Sequence, residues 1–411
     1  MLEHWAVFTD NHSHTRQFVR SFLQGRPQSP FHHLAGKKGG VFSKLALDRF
    51  LEKEDRHGES GLDTGGRLLR SMSSGEQKRA LLHHLLETEH EYLLLDRPFD
   101  NLDVEGQARL MAHLKEMQHR VALIQIVNRR KDILPYMTRY GALQEGALNI
   151  LEAPPMKDDV RVSAKRPLKG SIPPPLGHIE QHEDVLVAFR DVSVSYGERP
   201  ILNRIFWKIR KGEFWQLLGS NGSGKSTLLS IITGDNPKGY GQDICLFGKA
   251  KGSGESVWEI KQKIGYYSPA MTDKFAGRHT LENMLISGLL DSIGLYTQAT
   301  EGQKRIAAAW LKLLGLHHKK DTLFADIGLG EQRVVMTARA MVKHPPLLIL
   351  DEPTEGMDDA SAALLVALVN KMAQETNTAI VFVSHREEPG LEPRSVFSLE
   401  MTPAGSVGSI L

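Results

Sequence analysis

The chain has 411 residues, 41% of them hydrophobic and 24% charged, which is room for two or three globular domains and speaks against wholesale disorder. Lys and Arg number 51 against 49 Asp and Glu, a balance that announces neither a nucleic-acid binder nor a polybasic membrane anchor. The single cysteine, Cys245, excludes an internal disulfide and a cysteine-built zinc site, no apolar run approaches the ~18 residues of a membrane span, and the expected address is the cytoplasm.

In chain order, an apolar strand begins at Trp5 and a polar turn follows. Next comes Met72-Ser-Ser-Gly-Glu-Gln-Lys-Arg79, and then a strand from Tyr92 that ends in Asp96, with Asp103 seven residues on. A helical stretch (104–119) and a strand (121–127) close this part. Residues 152–184 carry Pro154, Pro155, Pro167 and the run Pro173-Pro174-Pro175 without apolar periodicity, so they read as a semi-extended linker. After it, Val192-Ser-Val-Ser-Tyr196 precedes a strand over 214–218, a glycine-rich turn and an amphipathic helix. Ile327-Gly-Leu-Gly-Glu-Gln-Arg333 then leads to Leu347-Leu-Ile-Leu-Asp351-Glu352, with Asp358 again seven residues beyond the first Asp. The spacing from Ser73 to Asp96 is 23 residues, as is that from Gly328 to Asp351. Two copies of one α/β domain are the economical reading.

The second copy carries the chemistry. Gly219-Ser-Asn221-Gly222-Ser-Gly224-Lys225-Ser226 satisfies G-x-x-x-x-G-K-[ST] between a strand and a helix, the context that confirms a phosphate-binding loop. Its glycines let backbone N–H groups turn toward phosphate oxygens, and the helix N-terminus adds a favourable dipole. The expected ATP contacts are Gly219, Asn221, Gly222, Gly224, Lys225, Ser226 and Thr227, with Lys225 on the β- and γ-phosphates and Ser226 on Mg²⁺. Asp351, at a strand end, is the second expected ligand of Mg²⁺, and Glu352 the group that polarises the attacking water. His385 ends the next strand, in reach of the γ-phosphate, and Tyr196 is placed to stack on adenine. The histidine pairs (His32-His33, His83-His84, His317-His318) and the short basic clusters read as surface features, and no nucleic-acid partner is expected.

With these motifs the chain resembles the nucleotide-binding domains of ABC ATPases, in both halves. The order of the halves, the stretch from Gly252 and the stretch Gly288-Leu-Leu-Asp-Ser-Ile-Gly-Leu-Tyr296 are similar to the ModF/PhrA subgroup. The resemblance implies two tandem P-loop NTPase domains closing head to tail into an intramolecular pseudo-dimer. It also implies ATP and Mg²⁺ as cofactors and a membrane permease or molybdate-handling protein as partner, which would bring the chain to the inner face of the membrane. The glutamine that this family carries after Ile264-Gly-Tyr-Tyr is replaced by Ser268-Pro269. That departure weakens the analogy with a transporter motor and leaves the water network there without a donor.

The first copy is eroded. An offset of 210 sets Thr9, His12 and His14 against Gly219, Gly222 and Gly224, and Thr15 and Arg16 against Lys225 and Ser226. Each change removes a phosphate or metal contact, and Arg97 stands where Glu352 stands. Thr15 to Asp96 spans 81 residues where Lys225 to Asp351 spans 126, so a large insert is missing. The signatures decay in the opposite sense: Ser73 and Gly75 persist in the first half, while the second lacks the serine. In the family each ATP lies between the P-loop of one cassette and the signature of the other. Residues 1–151 are therefore expected to be a degenerate cassette that lends Ser73 and Gly75 to the one competent ATP site, and 185–411 an intact cassette. The functions expected are ATP hydrolysis in a molybdate-related transport system, or a soluble ABC protein of translation-factor, regulatory or repair type that works without a permease.

Overall fold

Short continuous apolar runs bounded by turn residues are the sequence form of strands buried on both faces of a parallel sheet, and they become such strands in the computed structural model of the chain. It describes residues 2–411 except 11, 12, 73, 101, 103, 145, 156–167, 169, 178, 180, 273, 274, 276 and 386. The chain divides into two units, Met1–Val160 with Gly356–Asp359, and Arg161–Glu355 with Ala360–Leu411. The division falls inside the proline-rich stretch.

The first unit runs β1 (Trp5–Phe8), α1 (Thr15–Leu23), β2 (Gly39–Phe42), α2 (Lys44–His57), α3 (Ser74–Glu87), β3 (Tyr92–Asp96), α4 (Val104–Met117), β4 (Ala122–Val127), β5 (Arg139–Gln144) and β6 (Ala147–Leu151). Its sheet has the order β2-β3-β4-β1-β5-β6, parallel except for the terminal β5–β6 pair. Leu93, Leu94 and Leu95 of β3 are fully buried, as a central strand with covered faces requires.

The second unit begins with the long strands β7 (Val185–Tyr196) and β8 (Arg199–Arg210), then β9 (Phe214–Gly219) and α5 (Lys225–Ile232). It continues with β10 (Ile244–Leu246), β11 (Lys249–Ala250), α6 (Val257–Gln262), β12 (Ile264–Tyr267), α7 (Pro269–Thr272), α8 (Leu281–Leu289), α9 (Glu301–Leu313) and α10 (Leu329–Met341). It ends with β13 (Leu347–Asp351), α11 (Asp359–Glu375), β14 (Ala379–Ser384), β15 (Ser395–Glu400) and β16 (Val407–Ile410). One sheet has the order β12-β13-β14-β9-β15-β16, again parallel until a terminal antiparallel pair. Strand for strand this is the order and polarity of the first unit's sheet. The two also share a local anchor: Gln77 Nε2 donates to the Leu69 carbonyl at 2.9 Å, and Gln332 Nε2 to the Phe324 carbonyl at 3.0 Å, eight residues back in each case.

A second sheet, β11-β10-β7-β8, belongs to the second unit. Among the described residues the first unit has no counterpart to it. Between the sheets lies an aromatic core in which Trp207 stacks on Phe397, centroids 4.6 Å apart and planes at 12°, with Trp215 edge-on at 5.9 Å. The C-terminal part of the expected linker is docked rather than loose. Pro173–Pro175 can offer no backbone donor, but the Ile172 amide donates to Glu375 Oε2 at 2.7 Å, Ile172 is buried, and His344 Nε2 lies 2.7 Å from the Pro173 carbonyl.

Candidate functional site

Three adjacent parallel strands of the second unit end at one edge: β13 in Asp351, β14 in Ser384 followed by His385, and β9 in Gly219. The register pairs Asp351 with Val383 and Val383 with Leu217. The carboxylates, the imidazole and the glycine-rich loop are thus level because parallel strands are in step, although Asp351 lies 132 residues after Gly219 and 34 before His385 in sequence. Ligand sites of parallel sheets lie beyond the carboxyl ends of the strands for this reason.

The loop from Gly219 to Lys225 has the conformation that its glycines permit. Gly222 and Gly224 have φ of +83° and +91°, the left-handed region that L side chains rarely enter. A Cβ on Gly219 would stand 2.4 Å from Ser223 Oγ, and one on Gly224 would stand 2.7 Å from Leu202 Cδ2. Lys225, buried at the start of α5, donates from Nζ to the Gly219 carbonyl at 2.7 Å and the Ser220 carbonyl at 3.1 Å. Asn221, Gly222 and Ser226 are exposed, and Thr227 is half-buried in the first turn of α5 with its carbonyl accepting from Ser230 Oγ. The buried Ser223 hydroxyl has no hydrogen-bond partner among the described residues. Buried hydroxyls are normally satisfied, so this loop is built with a polar group to spare.

Asp351 is half-buried, and burial first, then the neighbouring Glu352, push its pKa up to about 6 against the pull of the Tyr266 hydrogen bond and Lys225. Two carboxylates side by side with too little positive charge suit an added cation. The Asp351 carboxylate and the Ser226 hydroxyl are oxygen donors of the kind that Mg²⁺ takes. Among the described residues no three His, Cys, Asp or Glu converge, so a self-sufficient protein cage for a metal is not what this edge offers. Glu352 itself has φ of +50°, an uncommon conformation for a non-glycine residue that costs about 1–2 kcal/mol and concentrates at functional sites. Its amide is held by the Val383 carbonyl at 3.0 Å, and its Oε1 lies 3.8 Å from His385 Nδ1. Tyr196, at the end of β7, is 47% exposed, and its hydroxyl accepts from Asn236 Nδ2 at 2.8 Å while Lys238 Nζ stands 5.8 Å from its ring centroid. One edge is tied and a face is left open.

Two residues at this edge escape sequence reasoning. Ser223 falls on an unspecified position of the loop motif, and Tyr266 belongs to a strand read only for the glutamine that should follow it. Tyr266 Oη donates to Asp351 Oδ2 at 3.1 Å. Burial, then the adjacent carboxylate, raise the phenol's pKa, so it stays a donor. Ser268 follows β12, and Pro269 opens the short helix α7.

In the first unit the described residues of the corresponding loop are placed differently. Asn11 and His12 lie outside the described residues. His14, at the place of Gly224, has φ of −77°, so the left-handed turn is absent. Ser13, at the place of the unsatisfied Ser223, accepts from the Asp10 amide at 3.0 Å and lies 2.6 Å from the Leu143 carbonyl. Arg97 keeps the left-handed φ of Glu352 (+48°), but its Nε donates to Asp96 Oδ1 at 3.1 Å. The strand-end carboxylate is thereby neutralised from within. Of the signature residues, Ser73 lies outside the described residues. Gly75 is in the first turn of α3, with no atom within 4 Å of where a Cβ would stand.

Residues 202–355 match the ABC transporter family. The chain is 32% identical to the ABC transporter ATP-binding protein ModF of Escherichia coli, over 98% of this chain and 92% of that one. It is 31% identical to an ABC transporter ATP-binding protein of Schizosaccharomyces pombe, over 77% of this chain and 66% of the relative. In fold it is similar to the solved structure of RNase-L Inhibitor, with a TM-score of 0.61, 16% identity, and 99% and 85% of the two chains covered.

Proposed function

The chain belongs to the ABC transporter ATP-binding proteins and is an ATP-hydrolysing enzyme; on that premise we propose that hydrolysis takes place at the strand edge of the second unit, residues 185–411, and not in the first. The observation that carries this reading is the level placement of Asp351, Glu352 and His385 with the glycine-rich loop. Loop amides from Gly219 to Ser226 and the Lys225 ammonium hold the β- and γ-phosphates. Ser226 and Asp351 would hold Mg²⁺, which when bound would supply positive charge to those phosphates. Glu352 takes the proton of the attacking water, and His385 orients Glu352 and meets the γ-phosphate. The open face of Tyr196 receives adenine. Residues 1–151 act as a cassette without a phosphate-binding loop, in which Ser13 is hydrogen-bonded and the strand-end carboxylate of Asp96 is paired with Arg97. The test is phosphate release with Mg²⁺ from the wild type and from Glu352→Gln, beside nucleotide binding by both. Hydrolysis should fall by at least about a hundredfold in the variant with binding kept; wild-type turnover in Glu352→Gln would refute the assignment.

A permease or molybdate-handling partner rests on the ModF resemblance. No helix among the described residues is long and apolar enough to cross a membrane. The replacement of the glutamine by Ser268-Pro269 favours a second reading, an ABC protein that works without a permease. Co-purification with a membrane subunit supports the first reading, and co-sedimentation with ribosomes supports the second.

A further inference from the structure

Tyr266 is the third residue of β12 and pairs with Ile349 of β13, two residues short of Asp351. Its ring reaches forward along the neighbouring strand, so that the hydroxyl meets Asp351 Oδ2 at 3.1 Å across 85 residues of sequence. Tyr266 and Ser226 line the same cavity, of about 470 Å³, together with Ser268. Asp351 is not among the residues that line this cavity, so the link from Tyr266 to the carboxylate is the hydrogen bond itself. Beyond it the chain reads Tyr267-Ser268-Pro269, with no amide side chain to take part.

We propose that Tyr266 is a positioning residue for the divalent cation: by holding Asp351 Oδ2 it leaves Oδ1 as the oxygen that binds the metal. The inference rests on the reading of Ser226 and Asp351 as metal ligands. A phenol suits the task because it donates one hydrogen bond and carries no charge. It orients the carboxylate without cancelling the negative charge that attracts the cation. The first unit shows the opposite arrangement, where Arg97 brings a full positive charge to Asp96 Oδ1. A guanidinium there competes with a metal, whereas a hydroxyl prepares the site for one.

The experiment uses the full chain carrying Glu352→Gln, so that nucleotide is bound and not consumed, with and without Tyr266→Phe. Mg²⁺ is titrated at a fixed concentration of a fluorescent ATP analogue, and Mn²⁺ binding is followed in parallel by electron paramagnetic resonance. Phenylalanine keeps the ring and removes only the hydroxyl, and thermal unfolding without ligand checks that the fold is kept. The expected result is an approximately tenfold higher Mg²⁺ requirement, the scale of one hydrogen bond to a charged group, with affinity for the metal-free nucleotide unchanged. An unchanged Mg²⁺ requirement, or an equal loss of metal-free affinity, would overturn the role of Tyr266. A Glu352→Gln parent that binds nucleotide without any dependence on Mg²⁺ would overturn the metal-ligand reading itself, and this inference with it.

Discussion

Gly222 and Gly224 share a left-handed backbone, φ +83° and +91°, yet stand in different surroundings. Nothing lies within 4 Å of where a Cβ on Gly222 would be. At Gly224 the methyl would meet Leu202 Cδ2 at 2.7 Å and Ile201 Cγ2 at 3.0 Å, and Leu202 is itself in the core. Gly222→Ala should therefore carry only the conformational cost, about 1–2 kcal/mol. Gly224→Ala should add the cost of overpacking, about 1–3 kcal/mol more. The loop relieves such strain by moving its amides, and each ~1.4 kcal/mol of misplacement lowers affinity tenfold. Isothermal titration with ATP should show a loss of about tenfold for Gly222→Ala and about a hundredfold for Gly224→Ala. ATP should also raise the unfolding temperature least in Gly224→Ala, since protection follows occupancy. Equal losses in the two variants would refute the argument, because backbone conformation alone would then account for both glycines. An undiminished affinity in Gly224→Ala would show that the left-handed turn is not what holds the phosphates.

Two further outcomes are expected. At Gly75 nothing outside its own helix and chain neighbours lies within 4 Å of where a Cβ would stand, so Gly75→Asp should leave folding unchanged while cutting phosphate release at least tenfold, if the first-half signature serves hydrolysis as the sequence pairing implies; undiminished release would remove Gly75 from the reaction. Phe397→Ala deletes a fully buried ring stacked on Trp207 and should cost about 3–5 kcal/mol of stability, read by denaturant unfolding; a loss below about 1 kcal/mol would mean that the aromatic core collapses around the gap.

The elements of this protein that sequence made legible are those whose meaning is local. Eight contiguous residues specify the loop from Gly219 to Ser226, since backbone freedom at Gly222 and Gly224 and the charge of Lys225 are properties of residues and their spacing. The repeat was legible for a similar reason: a buried strand ending in Asp leaves the same short pattern at Asp96 and at Asp351. The hydroxyl that meets Asp351 was not legible. Tyr266 has no special sequence context, and its role arises from strand pairing in step with β13. Ser223 and Ser13 are the same residue type at equivalent positions, yet one lacks a partner and the other is satisfied, because Leu143 and Asp10 close around only the second. Glutamines Gln77 and Gln332 stood in plain view beside the signatures, but that each pins its helix to a carbonyl eight residues back became visible only with the chain folded.

By itself, then, the sequence determined that one α/β pattern occurs twice on either side of a proline-rich stretch, that the second copy carries the motif G-x-x-x-x-G-K-[ST], and that the first copy lacks it. Only the tertiary structure decided that both copies share one strand order, that the second alone adds an antiparallel sheet among the described residues, and that Asp96 is met by the Arg97 guanidinium where Asp351 is met by the Tyr266 phenol. The physical reason is the reach of the interactions. Backbone conformation and motif spacing act over a few residues and are written in the order of the chain. Strand register, burial and the pairing of buried charge act across many tens of residues and exist only once the sheet has formed.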